Sequence, residues 1–264
     1  MPPVTVTAPR SELGRVVARA LADGPAEPGS GDVLVSLDSQ PPNTLLHDGH
    51  AWKDHGPARI LADARAALAQ DSEFVVHASY AFLRAVDEGA QPGDRLVPIV
   101  DAAREAEELV LGGPRPACVV RLGYLYGPES KDLKAYRTAF RLGRPYWAGP
   151  KDRLQHHLHT ADAARALLLA ARARPEGALL YATDDRPASF GEFMDHFARR
   201  IGNPLPLHLP GISRPLAHAV IAEEHMQMVQ LGVHGVAAPR PDGFTPDYAD
   251  CRAGVDEIVA GWKG

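Results

Sequence analysis

Between Ala117 and Leu169 the chain leaves few folds open. Cys118-Val119-Val120 is a short apolar run of the kind that forms a buried strand, and it breaks at Gly127-Pro128. A polar, amphipathic segment and a second short run ending at His159 follow, and then Thr160-Ala161-Asp162 opens an Ala/Leu-rich helix. A side-chain oxygen of Thr160 or Asp162 is expected to take an orphan amide there. The same alternation runs upstream. Val4 to Thr7 is a β-branched run, and Leu13, Val16, Val17, Ala20 and Leu21 then line one helical face, with Ser11 as N-cap and Gly24 as stop. Asp32 to Leu37 reads as a buried strand, Ala58 to Gln70 as an Ala-rich helix, and Glu73 to His77 as the start of another strand. Strands alternating with helices imply an α/β fold around a parallel sheet.

Several short patterns occur in a set order: Arg121, Tyr126-Gly127-Pro128, Gly143-Arg144-Pro145, His159 and Asp162, then Phe244-Thr245-Pro246-Asp247-Tyr248 with Gly254 and Trp262. This series resembles the extended short-chain dehydrogenase/reductase family, the NAD-dependent epimerase/dehydratases. The resemblance implies a Rossmann-like parallel sheet with helices on both faces over residues 1–204. It also implies a small C-terminal substrate lobe over 205–264.

The chain departs from that family at three places. The family turn T-G-x-x-G-x-x-G, aligned from Thr7, puts its glycines on Ala8, Ser11 and Gly14, so only the third is kept, and Pro9 removes an amide donor. Between Gly24 and Asp32 there is no room for the family's second strand, helix and third strand, so Asp32–Leu37 is read as its fourth strand and the sheet as shortened. The Y-x-x-x-K helix, aligned on Glu107-Glu108, places Ile99 or Val100 at the Tyr and Ala103 or Arg104 at the Lys. Neither Ile nor Val transfers a proton, and guanidinium stays charged. These losses lead to the expectation that no cofactor binds, with NAD or NADP only as the runner-up.

The resemblance sets the candidate site at the carboxyl ends of the strands. Ser79, Tyr80 and Tyr124 are the candidate proton-transfer residues, and Gln40, Tyr126, Arg104 and His225 the candidate substrate contacts. Ser79 is equally readable as a strand-end cap, since the family's catalytic hydroxyl aligns on Ala78 or Ser79. Arg121 is read as structural. Residues 38–57 form a polar loop in which His47, His50 and His55 have no standard zinc spacing. In His156-His157-Leu158-His159, strand alternation puts His157 and His159 on one face. Cys118 and Cys251 suggest neither a disulfide nor a metal site.

From these residues the expected activity is cofactor-independent and non-redox: a cyclase, isomerase or lyase acting on a small molecule. A non-catalytic ligand-binding or regulatory protein, and an NAD(P)-dependent epimerase or reductase with a distorted motif, are the alternatives. The net charge of −5 gives no basic footprint for nucleic acid, and no apolar run is long enough for a membrane span. The amino terminus lacks a signal-peptide pattern, so a cytoplasmic protein is expected. By the family's habit, a homodimer through the helices 58–70 and 99–111 is also expected.

Overall fold

A computed structural model describes residues 4–23, 32–37, 56–204, 206–209, 222–233 and 235–262. In chain order its elements are β1 (Val4–Val6), α1 (Glu12–Asp23), β2 (Val33–Ser36), α2 (Pro57–Ala69), β3 (Phe74–Tyr80), α3 (Leu83–Asp87), α4 (Val97–Leu111), β4 (Ala117–Leu122) and β5 (Tyr124–Tyr126). They continue with α5 (Lys131–Arg141), β6 (Leu154–Gln155), β7 (His157–His159), α6 (Thr160–Ala173), β8 (Leu179–Ala182), β9 (Ala188–Ser189), α7 (Phe190–Arg200), α8 (Glu223–Leu231) and α9 (Cys251–Gly261).

The main sheet is parallel throughout, in the order β1-β2-β3-β4-β8. Its central strands are buried on both faces, which is why they read as unbroken apolar runs rather than alternating ones. Along β3 and β4, Val76 and Val120 face Leu13 and Val17 of α1 and Leu167 and Ala170 of α6. Val75 and Val119 face the other way, onto Ile60 and Ala64 of α2 and Ala103, Ala106 and Val110 of α4. Helices therefore cover both sides of the sheet.

Among the described residues β1 is an edge strand. A doubly wound nucleotide fold has the order 3-2-1-4-5-6, with two strands beyond the first. Here α1 ends at Asp23 and β2 starts at Val33, and β2 pairs directly with β1. A crossover between parallel strands alone needs a dozen residues or more, so the connecting segment cannot hold a strand, a helix and another strand.

A second apolar cluster is built by α5, α7, α8 and α9. It joins Leu133, Tyr136 and Phe140 to Phe190, Phe193 and Phe197, and to Val229, Val255 and Ile258. Helix α7 is fixed at its start by a capping box. The Glu192 amide donates to Ser189 Oγ at 3.2 Å, and the Ser189 amide donates to Glu192 Oε2 at 2.9 Å. The cap of α6 is not the expected one. His159 Nδ1 accepts the Ala161 amide at 3.3 Å. Asp162 lies in the first turn, where its carboxylate accepts the amides of Asp247 at 2.9 Å and Tyr248 at 3.0 Å. Two amides from the closing segment, plus Arg165 at 2.7 Å, claim that buried carboxylate.

Candidate active site

The turn between β1 and α1 is the first part of the site. The Thr7 amide donates to the Val35 carbonyl at 3.0 Å, and the Leu37 amide donates to Thr7 Oγ1 at 2.8 Å, so the turn is tied to the end of β2. Ala8 stands where the family has its first glycine, and it adopts φ +46°, the left-handed conformation that glycine supplies without strain. An L-residue held there costs roughly 1–2 kcal/mol. The Ser11 amide donates to the Ala8 carbonyl at 2.9 Å, and the Gly14 amide donates to Ser11 Oγ at 3.0 Å. A Cβ at Gly14 would lie 2.2 Å from the Ala8 carbonyl oxygen. The turn thus keeps its tight path without two of its three glycines, and the third is required by a backbone contact. The substitutions at Ala8 and Ser11 are among the grounds for the expectation that no cofactor binds.

Glu12 occupies the first turn of α1, and the sequence did not single it out. Burial drives its pKa up to about 7, against the pull of nearby Arg15, and its Oε1 has no hydrogen-bond partner among the described residues. Its charge reaches Tyr124, whose hydroxyl is held in the neutral form first by burial and then by Asp132, Tyr136 and Glu12. A carboxyl group that titrates near neutrality in a cleft is a candidate for proton transfer.

Tyr124, Tyr126 and His225 are brought into one neighbourhood. Strands β5 and β7 pair in parallel, setting Tyr124 beside His157 and Tyr126 beside His159. The Tyr124 ring meets His157 edge-on at 5.8 Å, Phe193 at 6.4 Å and His225 at 5.7 Å. His157 stacks on Phe193 at 4.6 Å and His159 meets Tyr126 at 5.3 Å; Tyr126 also contacts Phe193, so His157 and His159 share a face as the alternation implies. His225, on α8, is buried, and burial lowers its pKa to about 3, so it stays neutral near pH 7. Tyr126 is fully buried over Gly254, where a Cβ would lie 2.3 Å from the tyrosine hydroxyl.

Ser79, Tyr80 and Arg104 lie elsewhere, in the layer of α2, α3 and α4. The Ser79 hydroxyl donates to Glu107 Oε1 at 2.5 Å. Arg121 grips the same carboxylate with Nε at 2.8 Å and Nη2 at 2.6 Å, and donates to Asp87 at 2.5 Å and to the Tyr181 hydroxyl at 3.0 Å. Arg104 binds the other oxygen of Asp87 at 2.5 Å. Tyr80 packs against Phe82 at 5.4 Å, and burial holds its hydroxyl un-ionised. These groups form a buried polar network anchored on Arg121, the residue read as structural. Ile99, Val100 and Ala103 are buried apolar packing, so this helix presents no tyrosine and no lysine. Gln40 and the loop histidines lie outside the described residues.

No protein-family model matches the chain. One curated relative, a 3-diazoavenalumate denitrifying reductase from Streptomyces sp., is 30% identical over 195 residues, which are 69% of this chain. The chain spans 62% of that relative's length. Solved structures match over nearly the whole chain. Human epimerase family protein SDR39U1 with NADPH has a TM-score of 0.71 at 19% identity, covering 97% of this chain and 99% of that one. RMD from Pseudomonas aeruginosa with NADPH has 0.66 at 16% identity, covering 100% and 99%. MoeE5 with UDP-glucose and NAD has 0.66 at 18% identity, covering 99% and 98%.

These likenesses correct the expectation that no cofactor binds, because the matching structures hold NADPH or NAD and the curated relative is a reductase. The local geometry explains the error: the dinucleotide turn is set by backbone conformation, and Ala8 adopts that conformation without being glycine. The tight path of the turn from Ala8 to Ser11 and the amino end of α1 fit the pyrophosphate end of a dinucleotide in shape, while the Ser11 and Gly14 amides are engaged within the turn itself. The strand that reads the adenosine ribose has no counterpart among the described residues. The chain thus has the Rossmann-like α/β fold of these epimerase-type structures.

Proposed function

We propose that this protein is a nicotinamide-dependent reductase acting on a small electron-poor molecule, and that its reaction does not need the family's Tyr/Lys pair. The observation that carries this reading is Ala8 held at φ +46° over Gly14. Backbone strain of that kind persists where a ligand requires the shape. The turn and the amino end of α1 would hold the pyrophosphate, with Tyr124 and His225 facing the substrate side.

The apolar α4 is the second support. A carbonyl reduction needs a proton on oxygen, which Ile99, Val100 and Ala103 cannot give. An arenediazonium needs none. When bound, a dihydronicotinamide would supply the hydride, and loss of dinitrogen with the carbon–nitrogen bonding pair would leave an arene and the oxidised cofactor. The name of the curated reductase couples reduction with loss of diazo nitrogen, which supports this substrate class. For the neutral diazo form of a hydroxyarene one proton is also required. Glu12, partly protonated near pH 7 and electrostatically coupled to Tyr124, is the group suited to give it. Tyr124 and His225, both neutral, would contact the arene by ring edges and hydrogen bonds.

The test uses diazotised 3-aminocinnamate with NADPH or NADH deuterated at the transferring carbon. The expected result is enzyme-dependent cofactor oxidation, release of dinitrogen and one deuterium in the product arene. Cofactor oxidation without deuterium in the arene, or no oxidation at all, contradicts the proposal.

A further inference from the structure

Beneath the Tyr124 neighbourhood lies a group of buried polar side chains that the proposed reaction does not use. His157 is on β7, Asp184 follows β8, and Cys251 is the first residue of α9. They are far apart in the chain, and all three are buried. One donor atom from each, a ring nitrogen, a carboxylate oxygen and the thiol sulfur, lies within 4.8 Å of the others.

Their hydrogen bonding is incomplete. One ring nitrogen of His157 faces the Gln155 backbone and the other has no partner among the described residues, and neither does Asp184 Oδ2. Asp184 Oδ1 meets His156 Nδ1 at 3.3 Å, and the Asp184 amide donates to the His157 carbonyl at 2.9 Å, so the backbone and one oxygen are fixed while the other oxygen is left over. Buried polar atoms left unpaired cost about 1–3 kcal/mol each, and native structures contain few of them. One ring nitrogen and one carboxylate oxygen converging with a cysteine sulfur are what a set of ligands looks like.

We infer that His157, Asp184 and Cys251 form a binding site for a divalent metal ion of borderline softness, with zinc as the best fit. One nitrogen, one oxygen and one sulfur suit that ion, whose bonds to such donors are about 2.0–2.3 Å. Ligand atoms around such an ion stand about 3.3–3.8 Å apart, so the observed spread closes with small side-chain movements. Charge also balances. A thiolate and a carboxylate cancel a dication in a place where bare charges are costly. The second shell is in place: His156 holds the other oxygen of Asp184, and Asp250 caps α9 by accepting the Arg252 amide at 2.9 Å. The ion would tie β7, the end of β8 and α9 together directly behind the Tyr124 ring. The two cysteines therefore differ in role, since Cys118 lies in the sheet core among aliphatic residues.

The experiment strips the full-length protein with chelator, then titrates it with Zn²⁺ in competition with a chromophoric chelator, and separately with Co²⁺. About one ion per chain is expected, and the cobalt form is expected to show a thiolate-to-cobalt charge-transfer band. Cys251→Ser removes that band, Cys118→Ser keeps it, and Asp184→Asn weakens zinc binding at least about 10-fold. Folded wild-type protein, checked by circular dichroism, that takes up neither ion overturns the inference. So does a charge-transfer band that survives Cys251→Ser.

Discussion

Gly14→Ala is the sharpest perturbation of the nucleotide turn, because the obstacle is backbone. The added methyl would lie 2.2 Å from the Ala8 carbonyl oxygen, 3.0 Å from its carbonyl carbon and 2.9 Å from Ser11 Oγ. Side chains swing aside cheaply, but the Ala8 carbonyl is locked. It accepts the Ser11 amide, and Ala8 already sits in a left-handed conformation. Relieving the clash requires moving the turn or the start of α1, and overpacking of this kind costs about 1–3 kcal/mol. For a domain of this size that is a fall in Tm of roughly 2–10 °C. The same displacement breaks the alignment of turn amides toward a pyrophosphate, so NADPH affinity is expected to fall more than stability explains. Urea unfolding followed by circular dichroism gives the stability, and calorimetric titration at a temperature where the variant is fully folded gives the affinity. A Gly14→Ala protein with wild-type stability and wild-type NADPH affinity refutes the close approach of α1 to the turn, and with it the case for a nucleotide site there.

Other outcomes follow from the same structure. Ala8→Gly relieves left-handed strain of roughly 1–2 kcal/mol and gives back about 0.4–1 kcal/mol through the freer unfolded chain. Its stability in urea is therefore expected to match or slightly exceed wild type; a loss above about 1 kcal/mol argues against the left-handed turn. Glu12 has a raised pKa of about 7 in the folded protein, so its contribution to stability is full below about pH 4.5 and is lost as pH rises through 7. Glu12→Gln should flatten that fall, and should also flatten a decline in NADPH affinity over the same interval, where a carboxylate forms beside the phosphate site; unchanged pH profiles contradict this. Glu107→Gln breaks the two-point grip of Arg121 and leaves a buried guanidinium short of charge, at a cost of about 3–5 kcal/mol by chemical denaturation. Ser189→Ala removes the capping-box acceptor of α7 and should cost about 1 kcal/mol, or roughly 2–4 °C in Tm.

Much of the architecture is readable from the residues because it rests on periodicity. Val75 and Val76 face opposite layers, and the continuous apolar runs follow from a sheet covered on both sides. The short connection between α1 and β2 matches a sheet that ends at β1 among the described residues. The site is less readable, for definite physical reasons. Glycine motifs report residue identity, whereas the turn depends on backbone angle, and Ala8 supplies the angle. Ser79 sits at the end of a strand where one residue of register decides the side it faces, and its hydroxyl goes to Glu107. Glu12 looks like an ordinary first-turn acid until the packing of α5 and Tyr124 around α1 is known. His157, Asp184 and Cys251 have no linear spacing to detect, since the chain closes on itself to bring them together.

The central claim is that this turn still receives a nicotinamide nucleotide although two of its glycines are replaced and no ribose-reading strand occurs among the described residues. Calorimetric titration of the wild-type protein with NADPH and NADH tests it most directly. Saturable binding of at least one of them, at one site per chain and in the micromolar range, is the expected result. Heats indistinguishable from dilution up to millimolar cofactor, on protein shown to be folded, contradict it.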